Sequence, residues 1–307
     1  MKSLIVQDPR EIFYTSVPQR VVSLVPSFTA TMEDLGLQEA LIGITDYCTP
    51  SKSKAVCVGG PKTTDLERIA ALHPDLVVAN QEENDRRRIE QIAAMGIPVW
   101  LSFPLSIQDA IHDLWTLAGL FRSDFALERV DLLERSVEWA ERASPSRPAF
   151  RFFCPIWQDH LEDGFWWWMT FNERTYSHDV LRLFNGENIF AHRERKYPFA
   201  AEFGKAPEEL SEEQRVGAHE KTARDTRYPR VSQQEILLGQ PDIILLPDEP
   251  YAYQEESLQQ FIEWFAETPA GMNGNIFLVD GSWLHWPGTR LAHAMIGIQE
   301  ILDQVLS

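Results

Sequence analysis

Basic residues are scarce in this chain. Its 307 residues hold 28 Lys and Arg against 46 Asp and Glu, a formal net charge of −18. That balance argues against nucleic acid and against anionic membrane surfaces, both of which attract basic patches. Long apolar runs are missing as well. None approaches the roughly 20 residues that a membrane helix requires, so no membrane insertion is expected. Cysteine is rare: Cys48, Cys57 and Cys154 make an odd count with no CxxC spacing, which favours reduced thiols. At the N-terminus the apolar run Leu4-Ile5-Val6 is followed at once by Asp8, Arg10 and Glu11. A secretory leader needs a longer apolar core, so cytoplasmic residence is expected. Catalytic signatures are absent too. Gly59-Gly60-Pro61 lacks the phosphate-cradling pattern, and neither HExxH nor GxSxG occurs. A non-catalytic protein is the expectation.

What is present is a repeated phrase. Asp65 to Ala71 places Leu66, Ile69 and Ala70 on one helical face; Pro74-Asp75 stops the helix, and Leu76 to Ala79 is a continuous apolar run. Such a run suits a parallel strand covered on both faces. The phrase returns as a helix over Val231–Gly239, Pro241-Asp242, and the strand Ile243 to Leu246. Two copies about one domain apart imply two α/β lobes. In the first lobe strands are expected at Val21–Val25, Leu41–Ile44, Ala55–Val58 and Ile97–Leu101, with helices at Thr29–Leu35, Glu83–Met95 and Ile107–Leu120. Residues 124–143 carry neither Gly nor Pro and set Val130, Leu133, Val137 and Ala140 on one face, which predicts one long helix. The second lobe opens with a strand at Ala149–Cys154 and a helix at Tyr176–Phe184, then a turn at Gly186–Phe190. It closes with a helix near Leu258–Phe265, the strand Ile276–Val279 and a helix from Arg290 to Val305. The expected division is residues 1–122, a linking helix over 123–144, and 145–307 with a charged insertion over 191–227 that includes a surface helix at Glu208–Glu220.

Several phrases together resemble a known family. They are Arg20–Ser27, Leu35-Gly36-Leu37, Leu41–Thr45, Asp65–Ile69, Pro74–Val77, Gly186–Phe190, Tyr228–Ser232 and Asp280–Trp283. Their order and spacing are similar to those of the helical-backbone (class III) substrate-binding proteins, the cobalamin-binding members above all. The resemblance implies two Rossmann-like parallel-sheet lobes joined by one long backbone helix, with a ligand cleft between the lobes. It also implies a small-molecule or metal-chelate ligand. A cobalamin-like corrinoid is expected first. An iron-siderophore, haem, or an enzyme acting on such a chelate is the alternative, and an interaction protein with a vestigial cleft is a third reading. In importers, members of this family dock through one exposed glutamate per lobe. Glu67 fits the first position; the second holds Gln234, and an amide cannot make the charge-assisted pair of a carboxylate with arginine. Importer docking is therefore not expected, and the chain resembles a branch without the leader.

Candidate ligand contacts follow from position, since ligands of open α/β sheets sit at the carboxyl ends of strands. In the first lobe these are Ser27, Phe28, Asp46, Tyr47, Glu82 and Asn84; in the second, Asp248, Glu249 and Tyr251. The run Trp166-Trp167-Trp168 puts Trp166 and Trp168 on one strand face, as a wall for a flat ligand or as core. On the loop after Val279, Trp283 and Trp286 are candidates for the same wall, Arg290 for a ligand anion, and His285 for an axial bond to cobalt or iron. His160, Glu162 and Asp163 form a second conceivable metal group, or an ordinary exposed loop.

Overall fold

The structure, a computed structural model, describes residues 4–305 other than 14, 49–50, 163, 198 and 204–224. The chain divides into two compact units. The first runs through Trp139 and takes back Trp286–Ile296; the second holds Ala140–His285 and the chain from Gly297 onward. This division differs from the expected one at two places. The break falls inside the long helix, between Trp139 and Ala140, and the end of the chain is shared. Residues 286–296 belong to the first unit because Thr289 Oγ1 donates to Asp34 Oδ2 at 2.8 Å and Gly288 lies against Thr31.

The strands of the first unit are β1 (Ile5–Val6), β2 (Val21–Ser23), β3 (Leu41–Ile44), β4 (Val56–Cys57), β5 (Leu76–Asn80) and β6 (Val99–Ser102). They form one sheet in the order β1-β6-β5-β2-β3-β4, every pair parallel. β2 and β5 are buried at each position, the apolar residues Val21-Val22 and Leu76–Ala79 together with the polar Ser23 and Asn80 at their carboxyl ends. The helices are α1 (Pro26–Asp34), α2 (Leu66–Ala71), α3 (Arg86–Ala94), α4 (Ile107–Phe121) and α5 (Asp124–Ala143). α1 begins three residues earlier than expected, with Pro26 in the first turn, where its missing N–H costs nothing. α3 begins later than expected. Asn84 N donates to Asn80 O in a turn, and the carboxylate of Asp85 then caps Arg88 N.

The second unit holds β7 (Phe150–Phe153), β8 (Trp157–His160), β9 (Trp166–Met169), β10 (Gly186–Asn188), β11 (Arg230–Ser232), β12 (Ile243–Pro247) and β13 (Ile276–Val279). One sheet is parallel, in the order β10-β7-β12-β13. Gly186–Asn188, expected as a turn, is the edge strand of that sheet. A second, antiparallel sheet of order β11-β9-β8 was not expected. Its hairpin occupies the segment read as a metal loop, and Asp163 lies outside the described residues. Helix α6 (Tyr176–Arg182), the helices Gln233–Gly239, Glu255–Trp264, Pro269–Asn273 and Ser282–His285, and the part of Leu291–Val305 from Gly297 onward also belong to this unit. Of the charged insertion, the helix expected at Glu208–Glu220 also falls outside the described residues. What is described includes the short helix Phe199–Glu202, whose buried Glu202 carboxylate accepts from Lys196 N and Arg230 N.

The repeated Pro-Asp phrase does the same work in each unit. Asp75 accepts from the backbone of Gln19 and Arg20 at 2.8 and 3.1 Å, fixing the entry to β2. Asp242 accepts from Arg151 N at 2.8 Å, within β7. In each case a carboxylate at the helix-to-strand turn ties the incoming strand to its neighbour, satisfying backbone donors that would otherwise be left unpaired. Among the described residues no helix is long and apolar enough to cross a membrane.

Candidate functional site

In the first unit, β5, β2 and β3 are neighbours, so their carboxyl ends bring Glu82, Ser27 with Phe28, and Asp46 with Tyr47 to one edge of the sheet. Tyr47 is 69% exposed there. Phe28 packs edge-on against Trp100, with ring centroids 5.0 Å apart. Asn84 is a correction. It is buried, its carbonyl accepts from Asn80 N at 2.7 Å, and its amide donates to Leu24 O and Pro61 O, both at 3.1 Å. All three partners are backbone, so Asn84 clamps the loops together and has no capacity directed at a ligand.

Beside this edge lies a cavity of about 20 Å³, room for one water. Ser27, Phe28, Asn80, Ser102, Asp113 and the Pro287-Gly288 turn contribute to its walls. Gly288 has φ 136°, and a Cβ there would fall onto Thr31 Oγ1, so the turn needs glycine on both counts. Asp113 accepts from Ser102 Oγ at 2.5 Å, and burial pushes its carboxyl up to about 6 against that hydrogen bond. Residue order gave no hint of this group, because Asp113 sits mid-helix among apolar residues of α4. Trp286 and Arg290 belong to this unit. The Arg290 guanidinium stands 6.0 Å from the Trp286 ring centroid, and its buried Nε has no hydrogen-bond partner.

In the second unit, β7, β12 and β13 are neighbours, and their carboxyl ends gather Trp157, the Asp248–Tyr251 segment and Gly281. Trp157 is 43% exposed and meets Tyr251 edge-on, centroids 5.5 Å apart. Gln158 Nε2 donates to Tyr251 Oη at 3.3 Å, which orients that ring. Asp248 accepts from Gly281 N at 2.7 Å and so holds the β12 and β13 loops together. Trp157 was missed. The rule of strand carboxyl ends would have found it, since it lies four residues past Phe153.

Of the expected tryptophan contacts, Trp168 is corrected, while Trp166 and Trp283 are half-buried. Trp168 has no exposure: it is enclosed by Phe261, Trp264 and Phe265, and its Nε1 donates to Gln158 Oε1 at 3.2 Å. It is core, with its one polar atom satisfied. Trp166 shares that face as expected, but it is sandwiched between His160 and Trp264, centroids 4.7 and 4.9 Å away. Trp283 lies against Gly297 of the last helix, where any Cβ would strike its ring. His285 is corrected too. It ends the helix Ser282–His285; the residue keeps some exposure, but Nε2 has none, and Nδ1 lies 3.0 Å from Ser177 Oγ. Burial pushes its imidazole down to about 4, so it is neutral and turned into the fold, not toward a ligand's metal. Among the described residues no group of three His, Cys, Asp or Glu side chains is placed to hold a metal ion.

A family profile described as periplasmic binding protein matches residues 21–282. The chain belongs to that family. The vitamin B12-binding protein of Vibrio parahaemolyticus serotype O3:K6 is 22% identical over 297 residues, spanning 94% of this chain and 90% of the relative. The vitamin B12-binding protein of Yersinia pestis (strain Pestoides F) is 31% identical over 184 residues, 59% of this chain and 63% of the relative. Among solved structures, the periplasmic vitamin B12-binding protein BtuF of Vibrio cholerae aligns with TM-score 0.69 and 19% identity, covering 94% of this chain and 98% of its own. The periplasmic haem-binding protein RhuT from Roseiflexus sp. RS-1 aligns with TM-score 0.70 and 17% identity, covering 94% and 99%. The α/β architecture expected from the repeated phrase is thus the two-lobe fold of this family, whose relatives include binders of vitamin B12 and of haem.

Proposed function

We propose that this chain binds, without transforming, a flat metal-tetrapyrrole ligand, and that the ligand is a corrinoid. The observation that carries this reading is the aromatic pair of exposed Trp157 and half-buried Tyr251 at the carboxyl ends of β7 and β12. Such rings supply broad apolar contact with few rotatable bonds to order. Near-full-length similarity to vitamin B12-binding proteins supports the corrinoid in particular. The net charge of −18 weighs against anionic siderophores. Haem is the second reading. It gains from the haem-binding neighbour and from Tyr47, whose exposed phenol is of the type that ligates haem iron in some proteins.

The test is titration of the full chain with cobalamin and with haemin, followed by tryptophan quenching and by the ligand's own spectrum. Cobalamin is expected to quench saturably at one equivalent. Trp157→Ala should weaken its binding by about tenfold, equivalent to roughly 1.4 kcal/mol, while Trp168→Phe should act on stability first. No quenching by either compound sinks the reading, and haemin alone quenching replaces the corrinoid with haem.

Two further parts of the reading concern place and partner. The three cysteines are free, Cys57 being exposed, which suits a reducing cytoplasm. Glu67 is exposed on α2, whereas Gln234 occupies the matching place on the helix Gln233–Gly239. The adjacent Glu235 accepts from Ser232 N and Oγ and lies 3.2 Å from Arg193. It is committed to capping its own helix. The reading is therefore a cytoplasmic binder that does not use the paired-glutamate docking of importers.

A further inference from the structure

Helix α5 has two faces, and only one is explained by the fold. Ala126, Val130, Leu133, Val137 and Ala140 are buried, from 0% to 9% exposed. They form the core-facing stripe of an amphipathic helix. Phe125, Leu132 and Trp139 form another line at seven-residue spacing, and they are 51%, 63% and 67% exposed. Ile296, 63% exposed on the last helix, extends this patch. Beside it runs a groove of about 730 Å³ whose walls include Leu114, Leu132, Leu133, Met295 and Ile296. A single exposed leucine is ordinary. Three large exposed apolar side chains in heptad register on one helix, with Leu132 on the wall of the open groove, are of the kind that marks an interaction site.

We propose that this stripe is the interface of a homodimer, in which α5 packs antiparallel against α5 of a second copy about a two-fold axis at Leu132. The sequence of the stripe is symmetric about that residue. Phe125 lies seven before it and Trp139 seven after, so the axis sets each Phe125 against the partner's Trp139 and Leu132 against its own copy. Such self-complementarity is what an isologous interface requires. The rims agree with this register. On a helical wheel Glu128 and Arg135 flank the outer side of the stripe, four residues before and three after the axis. An antiparallel partner therefore places Glu128 beside the partner's Arg135, twice by symmetry. On the groove side Arg129 meets the partner's Ser136, with no like-charge pair. Two copies of a chain carrying −18 repel one another over most of their surfaces. The α5 stripe is a place where they can approach, because its apolar line is bordered by two charges of each sign: Glu128, Arg129, and the Asp131–Arg135 pair, 2.9 Å apart. The dimer does not depend on what the chain binds.

Sedimentation velocity of the full chain, from about 1 to 200 μM, tests this in the range typical of weak interfaces. A concentration-dependent dimer is expected. Leu132→Glu, which sets two carboxylates at the axis, should raise its Kd by tenfold or more. Glu128→Arg alone and Arg135→Glu alone should each raise Kd about threefold, and the combined swap should recover most of the loss, since it rebuilds the interchain pairs reversed while breaking the Arg135–Asp131 pair within the helix. All three positions are solvent-facing, so circular dichroism and thermal unfolding confirm that each variant folds. A monomer throughout the range overturns the proposal. So does a dimer indifferent to Leu132→Glu, or one that the swap fails to restore.

Discussion

Asp113 is a carboxyl that the fold holds at a cost. Its value of about 6 against 3.8 means that the folded state resists ionising it. Below pH 3.8 the group is protonated in both states and there is no penalty. As pH rises through 6 the penalty accrues, because the unfolded chain ionises first, and above 6 it stays constant. At 1.36 kcal/mol per unit the full difference is roughly 2–3 kcal/mol. Asp113→Asn keeps a partner for Ser102 Oγ and removes the charge. Urea unfolding should show it more stable than the parent at pH 8 by up to that amount, with little difference at pH 4. Asp8, Asp109 and His112 also act on this carboxyl, so a pH-independent change would place the effect in packing instead. At this scale the sequence was only partly legible. Period-two alternation placed Trp166 and Trp168 on one face, but it carries no information about whether a helix covers that face. The helix Glu255–Trp264 does, and so Trp168 is core while Trp157 is exposed.

At the scale of elements, strong patterns gave strong results. Leu41–Ile44, Asp124–Ala143 and Ile276–Val279 lie where pattern alone puts them, since each is long or unbroken for its type. The hairpin of β8 and β9 was not visible. Trp157-Gln158-Asp159-His160 has one apolar residue and three polar ones, and its strand character comes from pairing with β9. β10 escaped for the same reason: Gly186-Glu187-Asn188 owes its conformation to β7. The last helix shows how packing overrides propensity. Gly297 sits in its interior, where alanine would gain about 1 kcal/mol of helix propensity. A Cβ would strike the Trp283 ring, however, and forced overpacking typically costs about 1–3 kcal/mol. Gly297→Ala should therefore destabilise on balance, and Trp283→Leu combined with it should recover part of the loss. Equilibrium unfolding of the two single variants and the double one measures the coupling; additive effects would mean that the two residues do not share the space.

At the scale of the molecule, the repeated helix, Pro-Asp and strand carried the two α/β units, because Asp75 and Asp242 perform one structural task twice. The same comparison of the two copies bears on biological role. The docking that the family resemblance implies would take a carboxylate from each unit, and here one copy holds Glu67 while the other holds Gln234. An arginine facing an amide loses the charge-assisted, bidentate geometry that a carboxylate provides. The neighbouring Glu235 cannot substitute without giving up its cap on Ser232 and its pair with Arg193. The expected outcome in the native host is that antibody against the chain detects it in the cytoplasmic fraction, that Cys57 is alkylated there without prior reduction, and that the chain does not co-purify with a cobalamin importer's permease. Gln234→Glu supplies the missing charge. If docking failed for want of that group, the variant should bind the purified permease more tightly than the parent does, in a manner that Glu67→Gln abolishes. Recovery of the parent chain from the periplasm bound to a permease would overturn the proposal of a cytoplasmic binder and make the amide at 234 a tolerated change in a transport protein.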